Sequence, residues 1–219
     1  MTRDQGEAIL AELKRIRELL EKPEAIKVSD VALARENVQM SIGDKWHVIG
    51  KDDAPVTLVE FTDYQCSFCR SFHTEAFAEL KKNYIDTGKV RFVSRDMPLP
   101  FHPYSMKAAE ATRCAGDQGK YWEMRDVLIK NSASLNDETI AKLAKALPIK
   151  MDDFSSCLAS GRYKDDIQKD SSVAATLQIL ATPTFVLAKS GKDTLSGVKI
   201  VGALPYSQFQ AAIDQMMKN

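Results

Sequence analysis

Excess charge of either sign is missing: 30 Lys and Arg stand against 30 Asp and Glu in 219 residues. That balance removes the electrostatic case for nucleic acid or an anionic membrane surface as a partner. No apolar run approaches the length of a transmembrane helix, and no secretory apolar segment precedes the first charged helix. The N-terminus therefore leaves the compartment open. Internal repeats and low-complexity tracts are also lacking. Cysteine is sparse, with four residues in all: Cys66, Cys69, Cys114 and Cys157. A structural zinc site would need a second closely spaced Cys or His pair, and there is none, so no metal or cofactor is implied. Two separate disulfides are the simpler reading, and a structural bridge between Cys114 and Cys157 implies an oxidising compartment. Two buried, unpaired thiols are the alternative.

What is present is organised around Thr57-Leu58-Val59-Glu60-Phe61-Thr62-Asp63-Tyr64-Gln65-Cys66-Ser67-Phe68-Cys69. An apolar, β-branched run ends in a short polar turn. Phe72, Ala76, Phe77 and Leu80 then recur at helical spacing, which puts Cys66 at or just before a helix N-terminus. Unpaired backbone N–H groups and the helix dipole favour a thiolate there. Cys69 lies one turn further on, on the same side. At the end of a strand and the start of a helix, this pair reads as a redox dithiol. Glu60 stands in an otherwise apolar strand. Burial should raise its pKa, which suits a group exchanging protons with Cys69 near neutral pH. The bland alternative is a strand-edge carboxylate facing water.

Residues 7–21 form a charged amphipathic helix in which Ile9, Leu13, Ile16 and Leu20 fit heptad positions a and d, with Glu12 at g and Arg17 at e. About fifteen residues are marginal for an isolated helix, so a partner is expected, and self-association is favoured over docking on the same chain. Lys22-Pro23 breaks the pattern. Residues 24–50 suggest short strands, best at 46–50, with His47 a half-exposed strand residue. A strand at 56–62, a helix at about 67–86 and a strand at 90–94 make a βαβ unit with a parallel pair. After the connector holding Pro98, Pro100 and Pro103, helices are expected at 105–115, 121–131, 136–146, 151–161 and 162–177. The sheet resumes at 181–187, where Pro183 heads an apolar run and fits a cis-proline turn. A hairpin turn at Gly191, a strand at 198–201 and an amphipathic helix at 206–217 finish the chain. His73 is expected to be solvated, and His102 to be a loop or cap residue.

Three stretches line up over roughly residues 46–217: Val59-Glu60-Phe61-Thr62-Asp63-Tyr64-Gln65-Cys66, Cys114-Ala115-Gly116-Asp117-Gln118-Gly119-Lys120-Tyr121-Trp122 and Thr182-Pro183-Thr184-Phe185. Together they make the chain resemble the DsbA-like branch of the thioredoxin-fold thiol–disulfide oxidoreductases. The resemblance implies an α/β thioredoxin fold with an all-helical insertion, about 102–177, between its βαβ and ββα halves. Hydrophobic pattern and resemblance together divide the chain into an N-terminal amphipathic helix at 1–23, a linker with strands at 24–50 and a DsbA-like thioredoxin domain at 51–219. The resemblance also assigns roles. It makes Cys66 the exposed nucleophile, Cys69 the resolving thiol and Glu60 the buried acid that relays a proton to and from Cys69. Pro183 becomes the cis-proline beside the dithiol, and Thr182 and Phe68 substrate-binding residues. Ser67-Phe68 between the cysteines contains no His, a departure that removes one cationic stabiliser of the Cys66 thiolate and implies a less oxidising disulfide.

The function implied is exchange of disulfides with cysteine-containing client proteins through a mixed disulfide at Cys66, reset by a membrane redox partner. The expected location is periplasmic or extracytoplasmic, which calls for a signal segment outside this sequence. Assembly through residues 7–21 would make it a homo-oligomeric isomerase or oxidase. A monomeric disulfide donor, a redox-inactive holdase and a zinc module are the rival readings.

Overall fold

The computed structural model describes residues 36–41, 47–191 and 194–218. The helix expected at 7–21 and Trp46 lie outside these residues. Strand β3 (Val56–Thr62) is the axis of the sheet, and all seven of its residues are buried. It pairs in parallel with β4 (Val90–Asp96) and antiparallel with β5 (Thr184–Lys189). Strand β6 (Thr194–Val201) continues the sheet from β5, and the short strands β1 (Asn37–Ser41) and β2 (His47–Ile49) close its two edges. The order is β1-β6-β5-β3-β4-β2. The strands at 90–94 and 198–201 both run further than the apolar pattern marked, because polar residues such as Asp96 and Ser196 keep to the ladder.

The helix after β3, α1, is α-helical over Ser67–Ser71 and Phe77–Leu80, with π-helical turns at Phe72–Ala76 and Lys81–Ile85. The insertion contains α2 (Ser105–Gly116), α3 (Tyr121–Lys130), α4 (Asp137–Lys145), α5 (Met151–Ser160) and α6 (Lys164–Thr176). Helix α7 (Tyr206–Lys218) ends the described residues. The stops follow local chemistry. Asn136 caps α4 by accepting the Thr139 N–H at 2.8 Å, and Gly161 ends α5 at a φ of 63° that a side chain would resist.

Alternation along β3 divides its side chains between two layers. Val56 and Leu58 meet Phe72 and Leu80 of α1 and Phe209 and Ile213 of α7. Val59 and Phe61 face the opposite layer, with Ala174 of α6 and Met40 of β1. The insertion has its own core, in which Met124, Leu128, Ile140, Phe154 and Ile167 meet. Buried ion pairs fasten it to the sheet: Arg113 to Asp96 at 2.7 Å and to Asp170 at 2.6 Å, and Arg95 to Asp170 at 2.8 Å. Cys114 of α2 and Cys157 of α5 are joined as a disulfide with Cα atoms 5.8 Å apart, which decides between the bridge and two free thiols.

Candidate active site

Four short segments meet at one end of β3. The chain turns at Asp63-Tyr64-Gln65, and Cys66 takes the N-cap position of α1 with extended backbone angles. Buried Asp63 builds this turn. Its Oδ1 accepts the N–H of Gln65 at 2.7 Å and of Cys66 at 3.1 Å, and its Oδ2 accepts that of Leu99 at 2.7 Å. Its own N–H donates to Cys69 Sγ at 3.5 Å. His102 Nδ1 lies 3.0 Å from Asp63 Oδ2, so this histidine sits in the connector loop, as expected, and helps tie that loop to the site. Gln65 Oε1 completes the tie by accepting the Tyr104 N–H at 2.5 Å.

Cys66 and Cys69 are both reduced. Cys66 donates its S–H to the Thr182 carbonyl at 3.3 Å, and the Thr182–Pro183 peptide bond is cis. The structure thus brings Cys66, Cys69, Thr182 and Pro183 together. It corrects one expectation, because Cys66 is only 6% exposed: the Thr182 strap covers the sulfur. Between the cysteines Phe68 stands out at 64% exposure.

The two thiols differ in kind. Hydrogen bonding from the Cys69 thiol opposes burial at Cys66, the Thr182 hydroxyl and the N–H groups of Cys69 and Phe68 add to it, and the pKa comes down to about 5. No acidic side chain stands in the first turn of α1 to oppose the thiolate. At Cys69, burial pushes the pKa well up, and the neighbouring Cys66 and Glu60 push it further. One thiol is therefore poised to attack and the other to hold its proton.

Glu60 lies beneath Cys69, fully buried, and here the structure overturns the expected pKa. Burial alone would raise it, but the Arg125 guanidinium and His73 more than offset that, and the carboxyl lies below its ordinary value. Arg125 NH2 donates to Glu60 Oε2, and Arg125 Nε donates to Ser94 Oγ at 2.9 Å. Ser94 is the β4 residue registered opposite Glu60. The guanidinium carbon sits 5.7 Å from the Phe92 ring centre and 5.5 Å from that of Trp122. His73 is buried, contrary to the solvated position expected, with Nε2 3.6 Å from Glu60 Oε2. The π-helical turn at Phe72–Ala76 departs from regular α spacing just where His73 stands, which defeats a reading by 3.6 residues per turn. Burial lowers the His73 pKa and Arg125 lowers it further, so it is a neutral imidazole. His47 is half-buried on β2, stacked at 3.6 Å on Tyr121, with burial lowering its pKa to about 4.

Arg125 and Asp63 are the residues that sequence reasoning missed. Tyr121, Met124 and Leu128 mark the buried stripe of α3, and Arg125 falls on that stripe. An arginine at a core position asks for a buried acid, and Glu60 is one. Asp63, two residues before Gln65 and three before Cys66, is the spacing of a side chain that caps a turn.

Fold and site define a thioredoxin-like dithiol protein, and comparison with known proteins agrees. The thioredoxin family pattern matches residues 43–215, so the chain belongs to that family. Its architecture is DsbA-like. Wolbachia pipientis alpha-DsbA1 superposes with a TM-score of 0.71 at 26% identity, over 81% of this chain and 93% of that one. Oxidised BdbD from Bacillus subtilis gives 0.66 at 29%, over 78% and 92%. Among curated proteins, disulfide bond formation protein D of Bacillus subtilis is 31% identical over 63% of this chain and 65% of its own. The Na(+)/H(+) antiporter NhaA 3 of Salinispora tropica is 32% identical over 77% of this chain. This chain spans only 26% of that antiporter's length.

Proposed function

We propose that this chain is a protein thiol–disulfide oxidoreductase that exchanges disulfides with cysteines of client proteins through a mixed disulfide at Cys66. The observation that carries this reading is the contrast within one dithiol, a Cys66 thiol lowered to about 5 beside a Cys69 thiol pushed well up, next to Thr182–Pro183. In the oxidising direction a client thiolate attacks Cys66 Sγ of the Cys66–Cys69 disulfide. The S–S bond breaks, Cys69 leaves as a thiolate and takes up a proton. A second client thiolate then attacks the client sulfur, and Cys66 departs as a stable thiolate. The client gains a disulfide and the protein gains two electrons. In the reducing direction the same bonds form and break in reverse.

Thr182 and Pro183 form the strap against which an extended client would lie, by backbone pairing in the manner of strand addition. Exposed Phe68, Leu180 and Phe101 offer apolar area to an unfolded client. Glu60 acts on Cys69 from below. The Cys114–Cys157 bridge supports an extracytoplasmic location, where such bridges persist. A membrane redox partner would reset the dithiol. The heptad spacing within 7–21 supports self-assembly, and with it isomerase work by several sites on one client. Light scattering of the full chain and of a chain lacking residues 1–23 tests assembly, and a full chain that scatters as a monomer ends that part of the reading. Equilibration with glutathione buffers and refolding of a scrambled substrate test the function. The reading expects Cys66–Cys69 to equilibrate and scrambled disulfides to be corrected. A dithiol inert to glutathione would overturn it.

A further inference from the structure

Under the dithiol lies a closed ion pair, held with a serine hydroxyl, whose three members come from three elements. Glu60 points from β3 towards the α1 layer, as its alternation with Val56 and Leu58 requires. Arg125 reaches it from α3, in the helical insertion, and is held on its other edge by Ser94. Both side chains are shut off from water. Phe92 and Trp122 flank the guanidinium and leave it little room to swing away. Separating a buried pair leaves a bare charge in a low dielectric, which costs several kcal/mol. The pair therefore stays ionised together.

We propose that Arg125 is a positioning residue that fixes Glu60 as a permanent anion, so that Glu60 acts on Cys69 by its charge instead of by carrying the thiol's proton. This rests on the thiol-exchange reading of Cys66 and Cys69. The other groups facing the pair do not change the charge count. His73 of α1 is neutral, and Tyr64 and Tyr121 near Arg125 remain phenols because burial raises both. Cys69 is then the group the fixed anion works on. A negative charge beside it disfavours its thiolate. When the mixed disulfide forms on Cys66, Cys69 holds its proton and delays its own attack on Cys66 Sγ. The delay gives a second client thiol time to resolve the intermediate. The helical insertion thereby sets the lifetime of the mixed disulfide from a distance, through one arginine.

The experiment has two readouts on the full chain. The first is a carbon-13 titration of the Glu60 carboxyl in the reduced protein. It should titrate below the ordinary carboxylate range in the native protein and in Arg125→Lys, and move above that range in Arg125→Met. The second is release of glutathione from a Cys66–glutathione mixed disulfide by Cys69, followed against pH. Arg125→Met should speed release at pH 7 on the order of tenfold, the effect of about one pKa unit at Cys69. It should also show a second inflection, which Arg125→Met with Glu60→Gln loses. A native Glu60 that titrates above the ordinary carboxylate range overturns the proposal, as does an Arg125→Met protein with the native titration and release profile. Should Arg125→Met not fold, the native titration and Arg125→Lys still decide. A Cys66 that never forms the mixed disulfide defeats the exchange reading alone, since the Glu60 titration does not depend on exchange.

Discussion

Cys66 and Cys69 stand three positions apart and unbonded, whereas Cys114 and Cys157 are 43 positions apart and joined. Both pairs are largely buried, so burial does not separate them. Their surroundings do. Cys114 and Cys157 lie in the insertion core with Ala111, Phe154 and Ile167, and their sulfurs are bonded to each other. Cys66 has backbone N–H groups, a thiol and a hydroxyl turned towards its sulfur, while Cys69 has a carboxylate. One pair is bonded and serves as a clip, and the other is polarised and serves as a reagent. Reactivity follows from the difference between two partners more than from the presence of either.

Breaking the reagent should have the largest effect. Cys66→Ser is expected to abolish glutathione and client exchange, a loss of about a thousandfold or more, since a hydroxyl cannot replace a thiolate nucleophile. The Cys114→Ala, Cys157→Ala double variant should retain exchange. Rate measurements on both, with folding checked by circular dichroism, test the contrast. Equal losses in the two would erase it.

The clip should show the reverse sensitivity. Closing a loop with 43 positions between its ends lowers the entropy of the unfolded chain. In the chain-entropy treatment this is worth about 4 kcal/mol, less any compensation in the unfolded state. Denaturant unfolding of the double Ala variant should therefore show a marked fall in midpoint and a slope at least as steep as the native one, since the uncrosslinked unfolded chain exposes more surface. A midpoint equal to the native one would mean the bridge constrains nothing that matters.

The polarised pair also makes a pH prediction. With Cys66 lowered to about 5 and Cys69 raised, the reduced protein carries one thiolate and one thiol across neutral pH. Cys66 is depressed relative to the unfolded chain. It therefore stabilises the reduced fold fully above its unfolded value, and this is lost as pH falls through about 5. Reduction in that window takes up two electrons and one proton. The midpoint potential of Cys66–Cys69 should fall by about 30 mV per pH unit, half the usual dithiol slope. Alkylation of Cys66 should stay fast down to mildly acidic pH. A slope of about 59 mV per unit near pH 7 would show two ordinary thiols and no polarisation.

Much of this polarised site was legible in sequence, and the limits have physical causes. The β3 run, the helical spacing after Cys66 and the apolar run after Pro183 each obey a short-range rule and mark the dithiol and the cis bond separately, and the family resemblance is what sets them side by side. The insertion helices lie within a few residues of their expected bounds, since caps such as Asn136 and Gly161 are local. Electrostatics were harder. Glu60 alone in an apolar strand argues for a raised pKa, and only the fold reveals that Arg125, 65 positions away, reverses it. His73 escaped because a π-helical turn shifts the face that a regular helix would assign. Cys66 is covered by Thr182, a contact between residues 116 positions apart that no local pattern encodes.

The smallest expected effect concerns Phe68, which lies between the two unlike thiols and belongs to neither. It is large, apolar and exposed, between the buried Cys66 and Cys69. Covering about half of such a side chain with a client would contribute about 1 kcal/mol, or five- to tenfold in affinity. Phe68→Ala should therefore weaken kcat/KM for an unfolded protein client by that factor, mainly through KM. A small reagent such as glutathione touches only Cys66 and should react at the native rate, because Phe68 acts on the thiolate through its backbone N–H, which Ala retains. Parallel assays with glutathione and with a reduced, unfolded client separate the two. A matching loss with both would place Phe68 in tuning Cys66 and not in binding, and would move the polarisation of the pair partly onto a side chain that has no charge.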